Sequence, residues 1–431
     1  MHLPHLESSL DRLLKSVSRA TAQTLDRALS GQDITVDEAT GLFEADGADL
    51  LAMMAAADHL RAQTVGDVVT YVINRNINFT NVCVKQCGFC AFSRGHLAEE
   101  GYFLPMEEVI RRAGEARDLG ASEVCVQAGL APGMDGWHYV KLCRALKAAF
   151  PDLHVHGFSP EEVLYGSTLT GATIRDYLIA LKDAGVGSLP GTSAEVFVDE
   201  VRQRISPGRI GIDQWIDVIQ TAHEVGIPTT STIMYGHIET ARHRAIHLNV
   251  LRDLQKRTGG ITEFVPLSFV YEEAPMSHRL ALPELRHGAS GAEVMKMYAV
   301  SRLMLNKWIP NLQVSWVKEG PKLSQIALLA GANDFGGTLI NESISTAAGA
   351  GYGQLMKPSE FRGLIREMGR IPAERSTTYQ KVRVFETENN HRDLLDEVND
   401  PAQRFGSYQN LIHLKEYRFR DFYREQKNPK H

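Results

Sequence analysis

Cys83-Val84-Lys85-Gln86-Cys87-Gly88-Phe89-Cys90 brings three of the chain's five cysteines together within eight residues. The C-x3-C-x2-C spacing places the thiolates of Cys83, Cys87 and Cys90 on one short loop, where they can hold a single metal centre. Thiolates favour soft metals and iron–sulfur clusters. A structural zinc ion takes four protein ligands, and a four-iron cluster has one iron more than this loop has cysteines. Three cysteines therefore either need a fourth ligand or leave one iron open for a small molecule.

Two other interpretations of the cysteines were weighed. A disulfide framework is disfavoured because the cysteine count is odd, the chain is long and no export signal is visible. A zinc knuckle would need a fourth ligand, and Cys125 and Cys143 are poor candidates: the first lies in an apolar run and the second on an apolar helical stripe. His96 stays open as a possible fourth ligand. We expect an iron–sulfur cluster.

Composition and charge exclude several classes of protein. The 431 residues are 43% hydrophobic and 23% charged, as in ordinary soluble proteins. The net charge of −6 argues against a nucleic-acid surface. Residues 1–10 lack the apolar core of a secretory signal, and the apolar run at 50–57 is too short to span a bilayer. The sequence therefore predicts a cytoplasmic protein that binds neither nucleic acid nor membrane.

The chain divides into three predicted regions: a helical segment at 1–70, an alternation of strands and helices at 71–345, and a helical cap and tail at 346–431. Such alternation predicts an α/β fold with a parallel sheet, and up to eight units fit a (β/α) barrel of the TIM type. A doubly wound open sheet is the alternative, but the glycine-rich run at 349–353 lacks the dinucleotide-binding spacing. The predicted strands are 71–79, 123–127, 154–158, 187–190, 229–234, 263–267, 313–316 and 334–337.

Polar and glycine-rich clusters follow three successive predicted strands. The cysteine loop follows the first, residues 127–129 follow the second, and residues 159–162 follow the third. Barrels of this type place their chemistry at the carboxyl ends of the strands. The coincidence favours the barrel and predicts a site at that end.

Longer strings carry a resemblance to a known family. With Phe89 before its last cysteine, the loop resembles that of the radical S-adenosylmethionine (SAM) superfamily. Six further strings resemble the second subunit of FO synthase, and close cousins are the aminofutalosine and cyclic dehypoxanthine futalosine synthases of a menaquinone route. The match runs in order over residues 60–380 and is nearest to the FO synthase type at 331–339. The strings are NFTNVC (78–83), HGFSPEE (156–162), LPGTSAE (189–195), FVPLSF (264–269), QVSWVK (313–318) and GANDFGGTL (331–339).

The resemblance implies a reaction, its cofactors and its partners. It implies one [4Fe–4S] cluster with an open iron and SAM, whose cleavage gives a 5′-deoxyadenosyl radical. The implied reaction joins the 4-hydroxybenzyl group of L-tyrosine to 5-amino-6-(D-ribitylamino)uracil and releases 2-iminoacetate, a step in deazaflavin coenzyme synthesis. Because the chain has one cysteine loop, we expect a separate ring-closing subunit, and cluster chemistry needs an electron donor. A futalosine-pathway enzyme is the alternative.

Residue roles are also implied by the resemblance. Cys83, Cys87 and Cys90 are expected to bind the cluster. Glu195 is expected to bind the SAM ribose and Arg202 the methionine carboxylate; an ion pair on a surface helix is the alternative. Residues 232–239 partly match an adenine-binding motif, with a plain strand-to-helix turn as the alternative. The remaining predicted cofactor contacts are Phe89, Gly129, Ser159, Gly236 and Glu239, and the predicted substrate-guiding residues are His156, Tyr235 and His237.

The chain departs from the family pattern after the second strand. Relatives carry two glycines there, whereas this chain has Ala128 and Gly129. Alanine does not readily take a positive φ. Cofactor binding at that edge is therefore possible only if the backbone at residue 128 does not need a positive φ. We expect alanine to be tolerated.

Overall fold

The computed structural model of the chain describes residues 4–85, 87–279, 282–387, 391–421 and 423. Four helices precede the first strand: α1 Pro4–Ser16, α2 Arg19–Leu29, α3 Val36–Glu44 and α4 Ala48–Val65. Helix α3 begins with a capping box, in which Thr35 accepts from the Glu38 backbone and Glu38 accepts in return. Residues 1–3 and 424–431, at the ends of the predicted outer segments, lie outside the described residues.

The central elements alternate strands with helices. They are β1 Val68–Val72, β2 Asn74–Ile77, α5 Met106–Asp118, β3 Glu123–Val126, α6 His138–Ala149, β4 His154–His156, α7 Pro160–Thr170, α8 Ile174–Asp183, α9 Asp199–Ile205, α10 Ile212–Glu224, β5 Thr229–Tyr235, α11 Ala241–Thr258, β6 Ile261–Ser268, α12 Pro275–Arg279, α13 Gly291–Leu305, α14 Trp316–Ala327 and β7 Asp334–Gly337. The C-terminal elements are α15 Ile344–Ala347, α16 Pro358–Glu367, β8 Ile371–Arg375, β9 Lys381–Val384, α17 Pro401–Phe405 and α18 Tyr408–Leu411.

The central strands close into a parallel barrel. Strand β2 pairs with β3, β3 with β4, and β5 with β6, all in parallel. Isolated parallel bridges supply two further strand positions: Ser188 and Leu189 link β4 to β5, and Leu312 and Gln313 link β6 to β7. Strand β7 pairs with β1, and Ile340 bridges back to β2. The predicted eight-unit barrel is therefore confirmed, with its fourth and seventh strands reduced to short bridged segments.

The first predicted strand is divided in the structure. Instead of one strand over 71–79, the chain forms β1 and β2, which meet at Ile73. Strand β1 pairs with β7 and β8, whereas β2 pairs with β3. Because of this break, one chain segment pairs with strands of two sheets.

The C-terminal segment contributes strands as well as helices. Strand β8 pairs in parallel with β1, and β9 pairs antiparallel with β8. From the sequence, helices alone are predicted for this region. Pro372, the second residue of β8, makes the short run a weak strand signal, since proline disfavours strand interiors.

The N-terminal helices cover the outside of the barrel. Helix α3 packs against α11, and α4 packs against α13. Leu42, Phe43 and Met53 are buried in the same hydrophobic core as the barrel helices. Arg252 of α11 donates to the Ile34 carbonyl at 2.9 Å and so fixes the loop before α3. Within the described part of the chain, we find no helix with the length and hydropathy needed to cross a membrane.

A buried polar cluster lies at the end of the barrel where the strands begin. Arg375 of β8 donates through Nε to Asp334 of β7 at 2.5 Å and lies 3.5 Å from Glu263 of β6. The Tyr379 hydroxyl donates to Glu263. Arg375 is also close enough to His156 of β4, across the barrel, to help lower the pKa of that imidazole, although burial is the larger cause. We call Arg375, Tyr379, Glu263 and Asp334 the floor cluster, because they contact one another at this end of the barrel.

Candidate active site

The cysteine loop is held by backbone contacts from three directions. The Cys83 N–H donates to the Arg94 carbonyl at 3.0 Å, on the loop's own return path. The Gly88 N–H donates to the Ile205 carbonyl at 2.8 Å, and the Gly88 carbonyl accepts from the Met276 N–H at 2.6 Å. Helices α9 and α12 therefore clamp the middle of the loop.

The three thiols of the loop are free and largely buried. Burial raises the pKa of Cys83 and Cys90, and it raises the pKa of Cys87 to about 11. Two donors face the sulfurs: the Lys85 N–H lies 3.4 Å from Cys83 Sγ, and Arg209 Nη1 lies 3.4 Å from Cys87 Sγ. Because a buried thiolate is costly without a positive partner, this arrangement fits thiolates that are held by a metal centre.

The donor set fits a cluster better than a single ion. Among the described residues, no three His, Cys, Asp or Glu side chains are arranged to hold one metal ion. A [4Fe–4S] cluster instead places each cysteine on a different iron, so its ligands need not converge on one point. Cys125 and Cys143 contribute no side chain to the cavity beside the loop, and the His96 ring packs 5.2 Å from the Tyr423 ring.

One cavity of about 350 Å³ opens at the carboxyl ends of the strands, beside the cysteine loop. Every strand position of the barrel, or the loop after it, contributes to its wall. Its charged lining residues are Lys85, Glu162, Glu195, Arg209, Lys318 and Glu342. Its neutral polar lining residues include Asn76, Gln127, Thr232, Gln313 and Ser315.

Arg209 joins the cysteine loop to acidic side chains that follow the third and fourth strand positions. It lies 3.5 Å from Glu195 and 3.6 Å from Glu161, and it donates to the Ser193 hydroxyl. Burial lowers the pKa of Arg209, but Cys87 and the two carboxylates outweigh burial, so the pKa stays above its usual value. Arg209 is therefore a fixed cation at the cavity wall, next to where a cluster would sit.

Glu195 lines the cavity, and its backbone is unusual. Its φ is +48° and that of Ser193 is +66°. Non-glycine residues take such angles at a cost, and they are found most often at functional sites. The Glu195 carbonyl accepts from the Met234 N–H at 2.7 Å, which ties this turn to β5.

Arg202 is engaged with the backbone, and its predicted role at the methionine carboxylate stays a prediction. Its guanidinium is buried and donates to the carbonyls of Ser193, Ala194 and Ile210. It is not among the cavity-lining residues. Its contacts fix the turn that carries Glu195, so the cation that faces the cavity from this unit is Arg209, which the sequence analysis missed.

Three further predicted cofactor contacts do line the cavity: Phe89, Gly129 and Ser159. Backbone packing requires glycine at position 129, because an added Cβ would lie 2.3 Å from the Val82 carbonyl oxygen. Within the described residues, Ala128 is not among those with positive φ. Alanine at this position therefore needs no unusual backbone angle, and tolerance in cofactor binding stays a prediction.

Glu162 is a lining carboxyl group that connects two strand ends. It accepts from the Ser159 N–H at 2.8 Å and from the Ala128 N–H at 3.0 Å, so it links the ends of β3 and β4. Burial raises the pKa of Glu162 to about 7. The string HGFSPEE contained this residue, but the sequence analysis gave it no role.

Gly236 and Glu239 shape the turn after β5 and do not line the cavity. Gly236 has φ +91°, and an added Cβ would lie 2.5 Å from the Ala289 nitrogen. Glu239 accepts from the Gly236 N–H at 2.8 Å and pairs with Arg244 and Arg286, each at 2.6 Å. Two residues of β5 in the same string, Thr232 and Met234, do line the cavity. The adenine contact of residues 232–239 stays a prediction.

The three predicted substrate-guiding residues lie outside the cavity lining. His156 Nδ1 lies 2.7 Å from the Ser188 hydroxyl, deeper in the barrel. The Tyr235 hydroxyl donates to Glu319 at 3.0 Å, and His237 Nε2 lies 3.0 Å from the Met234 carbonyl. Because none of these side chains contacts the cavity, their positions give no support to a role in guiding substrate protons.

An apolar wall stands beside the cysteine loop. Phe89, Met234 and Phe269 line the cavity there. They belong to a small hydrophobic cluster with Val196, Val201, Ile205, Ala274 and Met276. This wall can cover a flat aromatic or purine ring.

Comparison with known proteins identifies the family of the chain. The sequence model of the Radical SAM superfamily matches residues 77–251, and that of the CofH/MqnC C-terminal region matches residues 258–388. The 5-amino-6-(D-ribitylamino)uracil–L-tyrosine 4-hydroxyphenyl transferase of Methanothermobacter thermautotrophicus is 48% identical over 368 residues, which are 85% of this chain and 99% of the relative. The chain belongs to this transferase family.

Another member of the transferase family, from Methanopyrus kandleri, is 48% identical over 351 residues, which are 81% of this chain and 94% of the relative. Among solved structures, methylornithine synthase (PylB) aligns with a TM-score of 0.61 and 20% identity over 81% of this chain and 97% of that one. The [FeFe]-hydrogenase maturase HydG aligns with a TM-score of 0.64 and 18% identity over 88% and 80%. At these identities the structures support the barrel fold alone. Membership of the radical SAM superfamily implies a [4Fe–4S] cluster and SAM.

Proposed function

We propose that the protein is a radical SAM transferase that joins the 4-hydroxybenzyl group of L-tyrosine to 5-amino-6-(D-ribitylamino)uracil and releases 2-iminoacetate. The observation that carries the proposal is the cavity, where a three-cysteine loop and two cations from different strand units, Arg209 and Lys318, line one enclosed space. Identity of 48% along 99% of a relative with this activity in its name supports the choice of substrates.

The residues of the loop fit the cofactors. Cys83, Cys87 and Cys90 would hold one [4Fe–4S] cluster and leave one iron open. When bound, the cluster and SAM supply radical chemistry that the protein's own side chains lack. Arg209 would bind the methionine carboxylate of SAM, because a guanidinium fork binds a carboxylate well. Glu195, which also lines the cavity, would accept from the ribose hydroxyls.

The rest of the cavity suits two organic substrates. Asn76, Gln127, Thr232 and Gln313 are neutral hydrogen-bonding groups, which suit a ribityl chain and a uracil ring. Asn76 Oδ1 is buried and has no hydrogen-bond partner among the described residues, so it is available to a ligand. Apolar lining residues, including Val265, Leu267 and Leu339, would keep water away from the reacting carbon atoms.

Two further partners belong to the proposal. An electron donor must reduce the cluster. Because the chain has a single cysteine loop, a second radical enzyme would close the deazaflavin ring as a separate subunit.

An anaerobic assay tests the function. Reduced, cluster-loaded protein given SAM and tyrosine should release 5′-deoxyadenosine, and added 5-amino-6-(D-ribitylamino)uracil should yield a 4-hydroxybenzyl adduct detectable by mass spectrometry. In deuterated water, deuterium should enter 5′-deoxyadenosine, because hydrogen is taken from the exchangeable tyrosine amine. A protein that ignores tyrosine but consumes dehypoxanthine futalosine would instead be the futalosine-pathway enzyme.

A further inference from the structure

Lys318 lies at the mouth of the barrel, directly after the seventh strand position. It belongs to the first turn of α14, and the helix is broken two residues later, where Gly320 has φ +77° and Pro321 follows. An added Cβ at Gly320 would lie 2.6 Å from the Tyr352 ring, so the break is fixed by packing. The break leaves Lys318 on a short turn that lines the cavity.

The ammonium group of Lys318 lacks a partner. In the ranges that the structure describes, Nζ donates no hydrogen bond and has no carboxylate oxygen within 4.0 Å. Burial lowers the pKa of Lys318, while Glu342, Glu319 and Glu195 act in the opposite direction from farther away. Lys318 is half-buried and lines the cavity, so an ammonium group without a protein partner there is available to an anionic ligand.

The other cations of the cavity are already engaged. Lys85 lies 3.4 Å from Glu161, and Arg209 contacts Cys87 and Glu195. Both lie at the cysteine loop, where the methionine carboxylate of SAM is expected. Tyrosine is a second amino acid, and its carboxylate needs a cation of its own. Lys318, on the wall of the seventh strand unit, is the lining cation left for it among the described residues.

Glu342 provides an anion on the neighbouring wall, after the eighth strand position. Its carboxylate accepts from the backbone N–H groups of Ser345 at 2.8 Å and Thr346 at 3.2 Å, which fixes its orientation. A carboxylate has about four acceptor positions, so it can still accept from a ligand. A cation and an anion on adjacent walls match the two charged groups of an amino acid.

We propose that Lys318 binds the α-carboxylate of tyrosine and that Glu342 accepts a hydrogen bond from its α-amino group, an assignment that rests on the function proposed above. The pair would place the amine and the Cα–Cβ bond of tyrosine at the mouth side of the cavity, with the phenol ring directed inward. Both residues are therefore substrate-binding residues, distinct from those that would hold SAM.

Equilibrium binding to anaerobic, cluster-loaded protein tests the assignment. The ligands are L-tyrosine, tyramine, which lacks the carboxylate, and 3-(4-hydroxyphenyl)propanoate, which lacks the amine. Lys318→Met should raise the Kd of tyrosine and of the propanoate about tenfold or more and leave the Kd of tyramine within about twofold, while Lys318→Arg should retain most of the affinity. Glu342→Gln should weaken tyrosine and tyramine but not the propanoate.

Controls separate this assignment from the function on which it rests. Lys322→Met changes an exposed lysine of the same helix and should bind all three ligands like wild type. Wild-type protein should also bind tyramine more weakly than tyrosine, a comparison that needs no variant. Equal tyrosine affinity in wild type and Lys318→Met, or equal affinity of wild type for tyrosine and tyramine, overturns the assignment alone. If wild-type protein binds no tyrosine, the proposed function fails as well.

Discussion

Arg209 shows how one side chain can serve both a metal loop and a substrate cavity. Its guanidinium contacts the Cys87 sulfur, the Ser193 hydroxyl and the Glu195 carboxylate. With two carboxylates and a thiol around it, it stays charged even though it is buried. The charge offsets the cost of nearby thiolates and leaves guanidinium N–H groups for an anionic ligand.

Replacement of Arg209 should weaken SAM binding. We expect Arg209→Gln to raise the Kd of SAM about tenfold or more, or about 1.4 kcal/mol, because a buried guanidinium–carboxylate pair would be lost. Arg204→Gln removes a neighbouring arginine that pairs with Glu284 at the surface and should bind SAM normally. Calorimetric titration of cluster-loaded protein with SAM measures the Kd of both variants. An unchanged SAM affinity in Arg209→Gln would show that Arg209 does not bind SAM.

Arg202 should affect stability instead of SAM affinity. Arg202→Gln would leave buried carbonyls of residues 193, 194 and 210 without their donor, and each such group costs about 1–3 kcal/mol. We expect a clear fall in the urea midpoint, with any change in SAM affinity following only from disorder of the Glu195 turn. A variant of normal stability with a tenfold weaker SAM Kd would reverse the roles of the two arginines.

His247 should make the fold sensitive to acid. Burial lowers the pKa of His247 to about 3, although the contact of Nε2 with the Thr232 carbonyl, at 2.9 Å, acts in the opposite direction. Nδ1 accepts from the Phe197 N–H at 3.1 Å, so the neutral ring is held on both sides. The unfolded state, with a histidine pKa near 6.5, binds more protons than the folded state between those values. Stability from this residue is therefore complete above pH 6.5 and falls as the pH drops, by about 2 kcal/mol at pH 5.

The histidine prediction is tested by urea unfolding at pH 7 and pH 5. His247→Gln keeps one donor and one acceptor but cannot titrate, so its free-energy deficit relative to wild type should shrink at pH 5. His278→Gln changes an exposed histidine and should follow the wild-type curve. A deficit that stays constant between the two pH values would mean that His247 does not carry the effect.

At this scale the sequence predicted residues whose chemistry is local and missed those whose contacts are distant. The three cysteines lie within eight positions, so spacing alone identified them. Arg209 meets Cys87 across 122 positions, and no pattern near residue 209 carries that information. Lys318 stood in a string used only for resemblance, and nothing in the string says which way the side chain points.

At the scale of elements, the cysteine loop follows β2 and is hydrogen-bonded to segments that are distant in sequence. Its middle is clamped by α9 and α12, and its start is paired with residue 94. The ligands are therefore positioned by elements distant in sequence. This explains why the loop is recognised from the spacing of its cysteines, whereas the segments that hold it are not predictable from the local sequence.

Loss of any loop cysteine should abolish cluster assembly. We expect Cys83→Ala, Cys87→Ala and Cys90→Ala to lose the iron of wild-type protein, which should carry about four irons per chain. Cys143 is buried in α6, away from the loop, so Cys143→Ala should keep its iron and lose only some stability. Iron analysis after anaerobic reconstitution measures this, and equal iron loss in Cys143→Ala would point to a fourth protein thiolate.

The predicted strands were right in order but imprecise in extent. Long runs such as β5 and β6 were found because their buried residues are continuous. The fourth and seventh positions form only isolated bridges, and tertiary pairing there depends on neighbours that the local sequence does not specify. Strand β9 was missed because all four of its side chains are exposed, so it lacks the alternation that marks a half-buried strand.

At the scale of the whole molecule, the C-terminal segment is part of the barrel's structure. Strand β8 pairs with β1, and its last residue, Arg375, reaches Asp334 and Glu263 in the floor cluster. The predicted division into an N-terminal helical segment, a barrel and a C-terminal cap remains a proposal. These contacts tie the third region to the second.

Removal of the Arg375 charge should strongly destabilise the fold. Arg375→Met would leave Asp334 and Glu263 buried without their cation, and breaking such a buried pair costs about 3–5 kcal/mol. Arg383→Met, in the next strand, changes a half-exposed side chain and should shift the free energy of unfolding by no more than about 0.5 kcal/mol. Urea unfolding compares them, and equal stability of the two variants would show that the floor cluster contributes little.

The position of the floor cluster also bears on how reactants enter and leave the cavity. Three members of the floor cluster, Arg375, Glu263 and Asp334, are buried where the strands begin, whereas the cavity lies at the carboxyl ends of the strands, beside the cysteine loop. We therefore expect molecules to enter and leave the cavity on the cysteine-loop side. The reactant that binds deepest in the cavity then has to bind first and dissociate last. We therefore expect reactants to load in a fixed sequence, with the outermost one blocking exchange of the one beneath it, so that an excess of the outer reactant slows turnover instead of raising it.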